Sequence, residues 1–137
     1  MIPFLVGAIL AIAIAVLARI LKFDKEPGFY STVLIVVASY YVLFAFIARE
    51  SIGIELLVAG VFSAVAIAGA LRWPILLGLG ILIHGLFDFA HSSLIDNSGV
   101  PLWWPAFCAG VDIVLGIWVI YLIKVRGMYV SSPTNQS

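Results

Sequence analysis

Five long apolar runs constrain this chain more than any other feature. They cover about residues 2–21, 30–48, 51–71, 74–93 and 103–123. A helix rises about 1.5 Å per residue and needs about 20 apolar residues to cross the hydrocarbon of a bilayer, so each run has the required length. The runs are continuous rather than alternating, which favours helices over strands. We therefore predict an all-α integral membrane protein, built as a bundle of five transmembrane helices.

Composition and charge indicate that the solvent of this bundle is lipid. The sequence is 64% hydrophobic and only 10% charged, whereas soluble domains carry about 25% charged residues. Its formal net charge is zero, so no basic surface predicts a nucleic-acid partner. The expected partners are membrane lipid and an apolar or lipid-like small molecule.

The polar segments between the runs are short, which leaves room for one domain. Residues 1–130 are predicted to form this single transmembrane domain. Pro74 and Pro105 each fall at the start of a predicted helix, where the missing proline N–H is not needed. The polar residues 131–137 are predicted to be a disordered tail.

Basic residues are distributed unequally between the two ends of the predicted bundle. One end has only Arg49. The other end has six basic residues: Arg19, Lys22, Lys25, Arg72, Lys124 and Arg126. Because cytoplasmic segments carry the excess of Lys and Arg, we predict a multi-pass protein of the cell membrane with its N-terminus outside and its C-terminus cytoplasmic.

Ionisable residues fall inside the predicted spans, where each costs about 2.5 to 3.5 kcal/mol on insertion scales. His84, Asp88 and His91 are spaced by four and three residues on the fourth helix, which places them on one face. Asp112 on the fifth helix falls near the level of Asp88. These residues are therefore expected to form a polar cluster in the outer half of the membrane.

Two glutamates extend this pattern to other helices. Glu55 shares a helix face with Ala59 and Ala66, and such stripes of small residues let membrane helices pack closely, so Glu55 should point into the bundle. Glu50 lies at the outer end of the second helix. Tyr40 and Tyr41 fall near mid-membrane, where they are candidate hydrogen-bond donors.

A metal site is the first of four interpretations of the cluster. His, Asp and Glu from several helices suit Zn²⁺ or Fe²⁺. His84 and His91 are two turns apart, about 10 Å along the helix axis, so one ion would not easily bind both. The predicted metal ligands are Asp88, His91 and Asp112. Further candidate ligands are His84, Glu55 and Glu50, with His84 alternatively an acid or base.

The other three interpretations need no metal. In acid–base catalysis, a carboxyl group and a His exchange protons with an apolar substrate that arrives through the lipid. In a proton or ion pathway the same groups act as a relay, although the cytoplasmic half offers no matching relay. In the packing interpretation, His84 bonds to Asp112 and His91 to Asp88, as interhelical contacts worth about 0.6 kcal/mol each.

Two segments carry a family resemblance. Residues 84–91, HGLFDFAH, and residues 103–112, WWPAFCAGVD, resemble a family of short multi-pass membrane proteins of unassigned activity. In chemistry alone, the chain is also similar to membrane hydrolases of the alkaline ceramidase and adiponectin receptor superfamily, which set His and Asp ligands for zinc inside a helical bundle. Those proteins have seven helices and a third His ligand, whereas this chain has five predicted helices and two His.

The sequence thus favours a small membrane-embedded enzyme, a hydrolase or an isomerase, that acts on a lipid-like substrate. Its predicted catalytic residues are His84, Asp88, His91, Asp112 and Glu55. A proton- or cation-coupled transporter or channel subunit is the alternative, and a structural accessory protein is the second alternative. A bundle of 137 residues has little room for a closed cavity, which favours a homo-oligomer with sites near the interface.

Overall fold

The computed structural model describes residues 1–129, and all regular structure in this range is helical. The five α-helices are α1 (Ile2–Ile20), α2 (Pro27–Ala48), α3 (Ile52–Leu71), α4 (Ile75–Leu94) and α5 (Trp104–Lys124). Each is long and apolar enough to cross a membrane, which confirms the predicted five-helix, all-α class. The predicted disordered tail, residues 131–137, lies outside the described residues.

The ends of the helices follow from local backbone chemistry. Helix α2 begins at Pro27, three residues before the predicted start, because the fixed φ of proline suits a first turn. It ends where Arg49 adopts a left-handed conformation, with φ of 58°. Ser51 is also left-handed, with φ of 53°, and this pair of residues turns the chain tightly into α3.

Helices α4 and α5 form the antiparallel centre of the bundle. Helix α1 packs chiefly on the far side of α5, while α3 packs against both α2 and α4. Glycine permits the close approach of the central pair, because a Cβ at Gly116 would lie 2.7 Å from the backbone nitrogen of Leu82. Small residues at such crossings replace the hydrophobic driving force that membrane helices lack.

The two ends of the bundle differ in charge. We call the end that holds the α1–α2 and α3–α4 connections the basic end, and the opposite end, with the α2–α3 and α4–α5 connections, the loop end. This topology places all six basic residues named above at the basic end. It places Arg49 at the loop end. The orientation of these ends in a membrane stays a prediction.

The buried side chains also differ between the two halves of the bundle. In the half near the basic end, the helices pack through an apolar core that includes Leu34, Leu77, Ile81, Leu115 and Val119, and the buried carboxylate of that half, Asp24, lies in the α1–α2 connection. The half near the loop end contains five buried His, Asp and Glu side chains: Glu55, His84, Asp88, His91 and Asp112. The polar cluster therefore lies in one half of the bundle, as the depth of these residues in the sequence indicated.

Candidate acid–base site

One face of α4 supplies three of the polar side chains. His84, Asp88 and His91 are each at most 1% exposed, because their spacing of four and three residues keeps them on the core side of the helix. Asp112 joins them from α5 and Glu55 from α3, and both are buried. The five side chains do not form a single group, however, and they divide into two.

The first group, which we call the His84 group, consists of His84, Asp88 and Asp112. The Nδ1 atom of His84 lies 2.6 Å from Oδ2 of Asp112, at hydrogen-bond distance. The same Nδ1 atom lies 3.7 Å from Oδ2 of Asp88. Tyr41 of α2 donates its hydroxyl to Oδ1 of Asp88 at 2.7 Å. One imidazole is thus placed between two carboxyl groups, one of which is also fixed by a phenol.

A glycine brings the two central helices together at this level. A Cβ at Gly85 would lie 2.9 Å from the Cβ of Asp112, which is closer than ordinary side-chain packing allows. Any larger residue at this position would push α5 away from α4 and lengthen the contact between His84 and Asp112. Gly85 therefore positions the His84 group without contributing a polar atom.

The second group, the His91 pair, consists of His91 and Glu55. The Nε2 atom of His91 lies 2.7 Å from Oε1 of Glu55. Asn97, in the α4–α5 connection, donates to the same Glu55 oxygen at 2.9 Å and to the Tyr41 carbonyl at 3.2 Å. The Tyr41 ring stacks on His91 with a centroid distance of 4.0 Å. This pair joins α2, α3, α4 and the connection.

The structure groups the predicted residues differently from the expected ligand set. His91 was expected beside Asp88 and Asp112, but His84 occupies that position and His91 faces Glu55. The reason is the antiparallel crossing of α4 and α5, which brings Asp112 level with the turn between His84 and Asp88. One turn further along, α4 faces α3.

Two other residues donate hydrogen bonds to these groups, and only one of them was a candidate from the sequence. Tyr41 was a candidate donor, and it donates to Asp88. Asn97 is indicated by the sequence only as a turn residue, and no local signal shows that its amide reaches Glu55.

Glu50 lies apart from both groups. It is exposed, and one carboxylate oxygen accepts the backbone N–H of Ser98 at 2.9 Å. Hydrogen bonds from Ser98 lower the pKa of Glu50 below its ordinary value. Glu50 therefore ties the α2–α3 connection to the α4–α5 connection and borders the site without entering it.

The His84 group retains unused hydrogen-bonding atoms. Nε2 of His84, Oδ2 of Asp88 and Oδ1 of Asp112 are buried and have no hydrogen-bond partner among the described residues. An unpaired buried polar atom costs about 1 to 3 kcal/mol, so three in one place are unfavourable for packing alone. They are suited to bind a proton, a polar group of a substrate, or a cation.

A cavity, which we call the outer cavity after the predicted orientation, leads toward the site from the loop end. Its volume is about 750 Å³, and its lining includes Asp88, His91, Asn97 and Glu50. The cavity therefore extends from the loop end to Asp88, a buried carboxyl group of the His84 group.

A lateral groove approaches the same level from the side. It has a volume of about 620 Å³ and lies among α1, α2 and α5. Its exposed margin includes Leu10, Val36 and Tyr40. Its inner wall includes Cys108, one helical turn before Asp112 and on the same face of α5. The groove is almost entirely apolar, but Trp104 also lines it and has a buried Nε1 donor without a partner among the described residues.

The His84 group is better arranged to bind a metal ion than the ligand set predicted from the sequence. Each of its three residues, His84, Asp88 and Asp112, offers one ligand atom, and these atoms lie within 4.8 Å of one another. Zinc holds nitrogen and oxygen ligands at about 2.0 to 2.2 Å, so its ligands lie less than about 4.4 Å apart, and small side-chain movements would bring these three together. His91 and Glu55 are engaged with each other, and Glu50 is exposed. Metal binding itself stays a prediction.

The sequence and the fold were also compared with known proteins. No family model, no curated protein and no solved structure matches the chain. The family resemblance of residues 84–91 and 103–112 stays a prediction, and the function is inferred from the geometry of the site.

Proposed function

We propose that this chain is a small membrane-embedded acid–base enzyme, a hydrolase or an isomerase, that acts on a lipid-like substrate. One observation carries the proposal: His84 is held through Nδ1 by Asp112, while its buried Nε2 has no partner among the described residues. A carboxylate that fixes one imidazole nitrogen and leaves the other free is the arrangement by which enzymes orient a general base.

The two carboxyl groups take different roles in this proposal. Asp112 orients His84 and stabilises the imidazolium that forms when Nε2 accepts a proton. Asp88, whose other oxygen is held by Tyr41, supplies a proton from its protonated form. In an isomerisation, Nε2 removes a proton from one substrate atom and Asp88 returns one to another. In a hydrolysis, Nε2 takes the proton of an attacking water and Asp88 protonates the leaving group.

The two approaches to the site favour an amphiphilic substrate. The outer cavity is lined by polar groups and includes Asp88, whereas the lateral groove is apolar and open to the side. In this proposal the acyl chain of a lipid lies in the groove, where Trp104 Nε1 is a further donor, and the cavity admits water or a polar group toward Asp88. In the predicted orientation this reaction takes place in the outer half of the cell membrane.

Isotope incorporation tests the proposal whatever the identity of the substrate. Purified protein in nanodiscs of total membrane lipid is incubated in D₂O and, separately, in H₂¹⁸O, and the lipids are analysed by mass spectrometry. An isomerase places deuterium on carbon, and a hydrolase places ¹⁸O in a product. Label that appears with wild type but not with Asp112→Asn supports the proposal. Equal labelling by both proteins, or none by either, contradicts it.

A metal-assisted form of the same enzyme is favoured by the close set of three ligand atoms. In that form His84, Asp88 and Asp112 would hold a divalent cation, Zn²⁺ or Fe²⁺, which would supply Lewis-acid chemistry. Elemental analysis distinguishes the two forms. Stoichiometric metal that is lost in Asp88→Asn and kept in Glu55→Gln supports the metal-assisted form, and wild type that is active without metal contradicts it.

The transporter alternative is weaker because apolar side chains fill the bundle between the site and the basic end. The half of the bundle near the basic end is filled by apolar side chains such as Leu77, Ile81 and Leu115, all of which are fully buried. A proton path through one protomer would have to cross this layer, and an oligomer would have to supply another route. Measurement of pH-dependent flux in liposomes separates the two functions, since an enzyme of this kind should produce none.

A further inference from the structure

The basic end contains a second cavity that the acid–base chemistry does not use. It has a volume of about 430 Å³ and lies between the end of α1, the 3₁₀ helix Phe23–Lys25 and the segment after α5. Four cationic side chains and one carboxylate contribute to its wall: Arg19, Lys22, Lys25, Arg126 and Asp24. The excess of cations makes the cavity complementary to an anion.

Arg19 is held in place before any ligand arrives. Its Nη1 donates to Oδ2 of Asp24 at 2.9 Å, and Asp24 is 1% exposed whereas the Arg19 side chain is 38% exposed. Tyr129 donates its hydroxyl to the backbone oxygen of Asp24, and burial raises the pKa of Tyr129, so it stays a donor at neutral pH. With one N–H fixed, the remaining donors of the planar guanidinium suit a phosphate.

An apolar groove lies next to this cavity, along the side of the bundle. It has a volume of about 280 Å³, lies between α1 and α5, and is lined by Ile12, Val16, Ile20 and Trp118. Arg19 lines both the groove and the cavity, so the two spaces meet at this side chain. The groove follows α1 for about 12 Å, the rise of eight residues, which suits a hydrocarbon chain more than a soluble ion.

We propose that an anionic glycerophospholipid binds at this end, with its phosphate among the four cations and one acyl chain in the α1–α5 groove. Basic pockets between membrane helices bind anionic headgroups in this way. A zwitterionic headgroup would bring its own cation into a cationic cavity and would bind less tightly. Free phosphate would use the cavity but not the groove.

Native mass spectrometry of the full chain tests this proposal. The protein is released from nanodiscs that contain equal amounts of anionic and zwitterionic phospholipid with the same acyl chains. Lys22→Gln with Arg126→Gln lowers the cavity charge by two and leaves the Arg19–Asp24 bond intact. The matched control, Arg72→Gln with Lys124→Gln, removes the same charge from the basic end outside the cavity lining.

We expect wild type and control to retain the anionic lipid, and the cavity variant to retain it on the order of tenfold less. Equal loss in both double variants would indicate general surface attraction and overturn the proposal. Val16→Phe fills the groove and keeps every charge, so lipid retention should fall there too. Unchanged retention in Val16→Phe, or displacement of the lipid by excess inorganic phosphate, would overturn the assignment of the acyl chain.

Discussion

The His84 group and the His91 pair lie seven residues apart on the same face of α4, yet they are built differently. The His91 pair has one imidazole for one carboxyl group, and Asn97 and the Tyr41 ring complete its surroundings. It leaves one buried oxygen, Oε2 of Glu55, without a partner among the described residues, whereas the His84 group leaves three atoms.

The main difference lies in how many polar atoms each group leaves unused. The His91 pair joins three helices and a connection and leaves one such atom, which suits a structural contact. The His84 group joins α4, α5 and, through Tyr41, α2, and it has unused atoms on all three of its residues. The two groups contain similar residue types but are expected to have different roles. Substitutions in the His84 group should reduce turnover, and substitutions in the His91 pair should reduce stability.

The largest contrast is expected in turnover. Asp112→Asn keeps the shape of the side chain but replaces the carboxylate with a neutral amide, which favours the wrong tautomer of His84 and does not stabilise its imidazolium. Isotope incorporation should therefore fall by about 10³-fold or more. His91→Gln should reduce it less than about tenfold, because His91 only positions neighbouring groups. Labelling rates measured in nanodiscs give both values, and equal losses in the two variants would erase the proposed distinction.

The next effect concerns the helix crossing. Gly85→Ala adds a methyl group against Asp112 and should destabilise the bundle by about 1 to 3 kcal/mol, the usual cost of overpacking. Thermal unfolding in detergent measures the change. Gly60→Ala is the matched control, since a Cβ there would meet nothing within 4 Å. A Gly85→Ala protein as stable as the control would mean that the helices do not approach closely at this level.

A smaller loss is expected for the His91 pair. Glu55→Gln weakens the contacts to His91 and Asn97, and polar contacts between membrane helices are worth about 0.6 kcal/mol on average, with a maximum near 1.7. The midpoint of denaturation should fall accordingly, while isotope incorporation per folded molecule should change little. A large loss of turnover without a loss of stability would place the His91 pair in the chemistry.

The smallest effect is the pH dependence of the outer connections. Because hydrogen bonds from Ser98 lower the pKa of Glu50, its contribution to stability is present above the ordinary value of 4.5 and is lost as the pH falls through the lower folded value. Protease cleavage of the α4–α5 connection should therefore increase in that acid range for wild type. Glu50→Gln should show no such step, and an identical acid step in both proteins would exclude Glu50 as its source.

The sequence predicted the helices well because length and hydropathy are local properties. It also predicted that Glu55 points into the bundle and that five ionisable groups share one level, since depth can be counted from the start of each span. Its interpretations disagreed on which imidazole meets Asp112: the packing interpretation named His84 correctly, the metal interpretation named His91, and none paired His91 with Glu55. The outcome depends on how α4 crosses α5 and α3, and on the space that Gly85 leaves, which are properties of several helices together.

Two other features were beyond sequence analysis for a similar reason. Asn97 lies in a turn whose composition indicates only a change of direction, and its contact with Glu55 depends on how the connection folds back over α3. The lateral groove exists because α1 packs chiefly on α5 rather than on α2. Residue patterns within single helices carry no information about that choice of partner.

The packing of α1 on α5 also affects how the protein is made. Helix α1 leaves the ribosome before the other four, and its main partner is the last of the five to be synthesised. Until α5 enters the membrane, α1 lacks that partner and His84 lacks Asp112. The His84 group is therefore completed only when α5 is in place, so a nascent chain that stalls before α5 would lack the residue that, in the proposed enzyme, orients the general base.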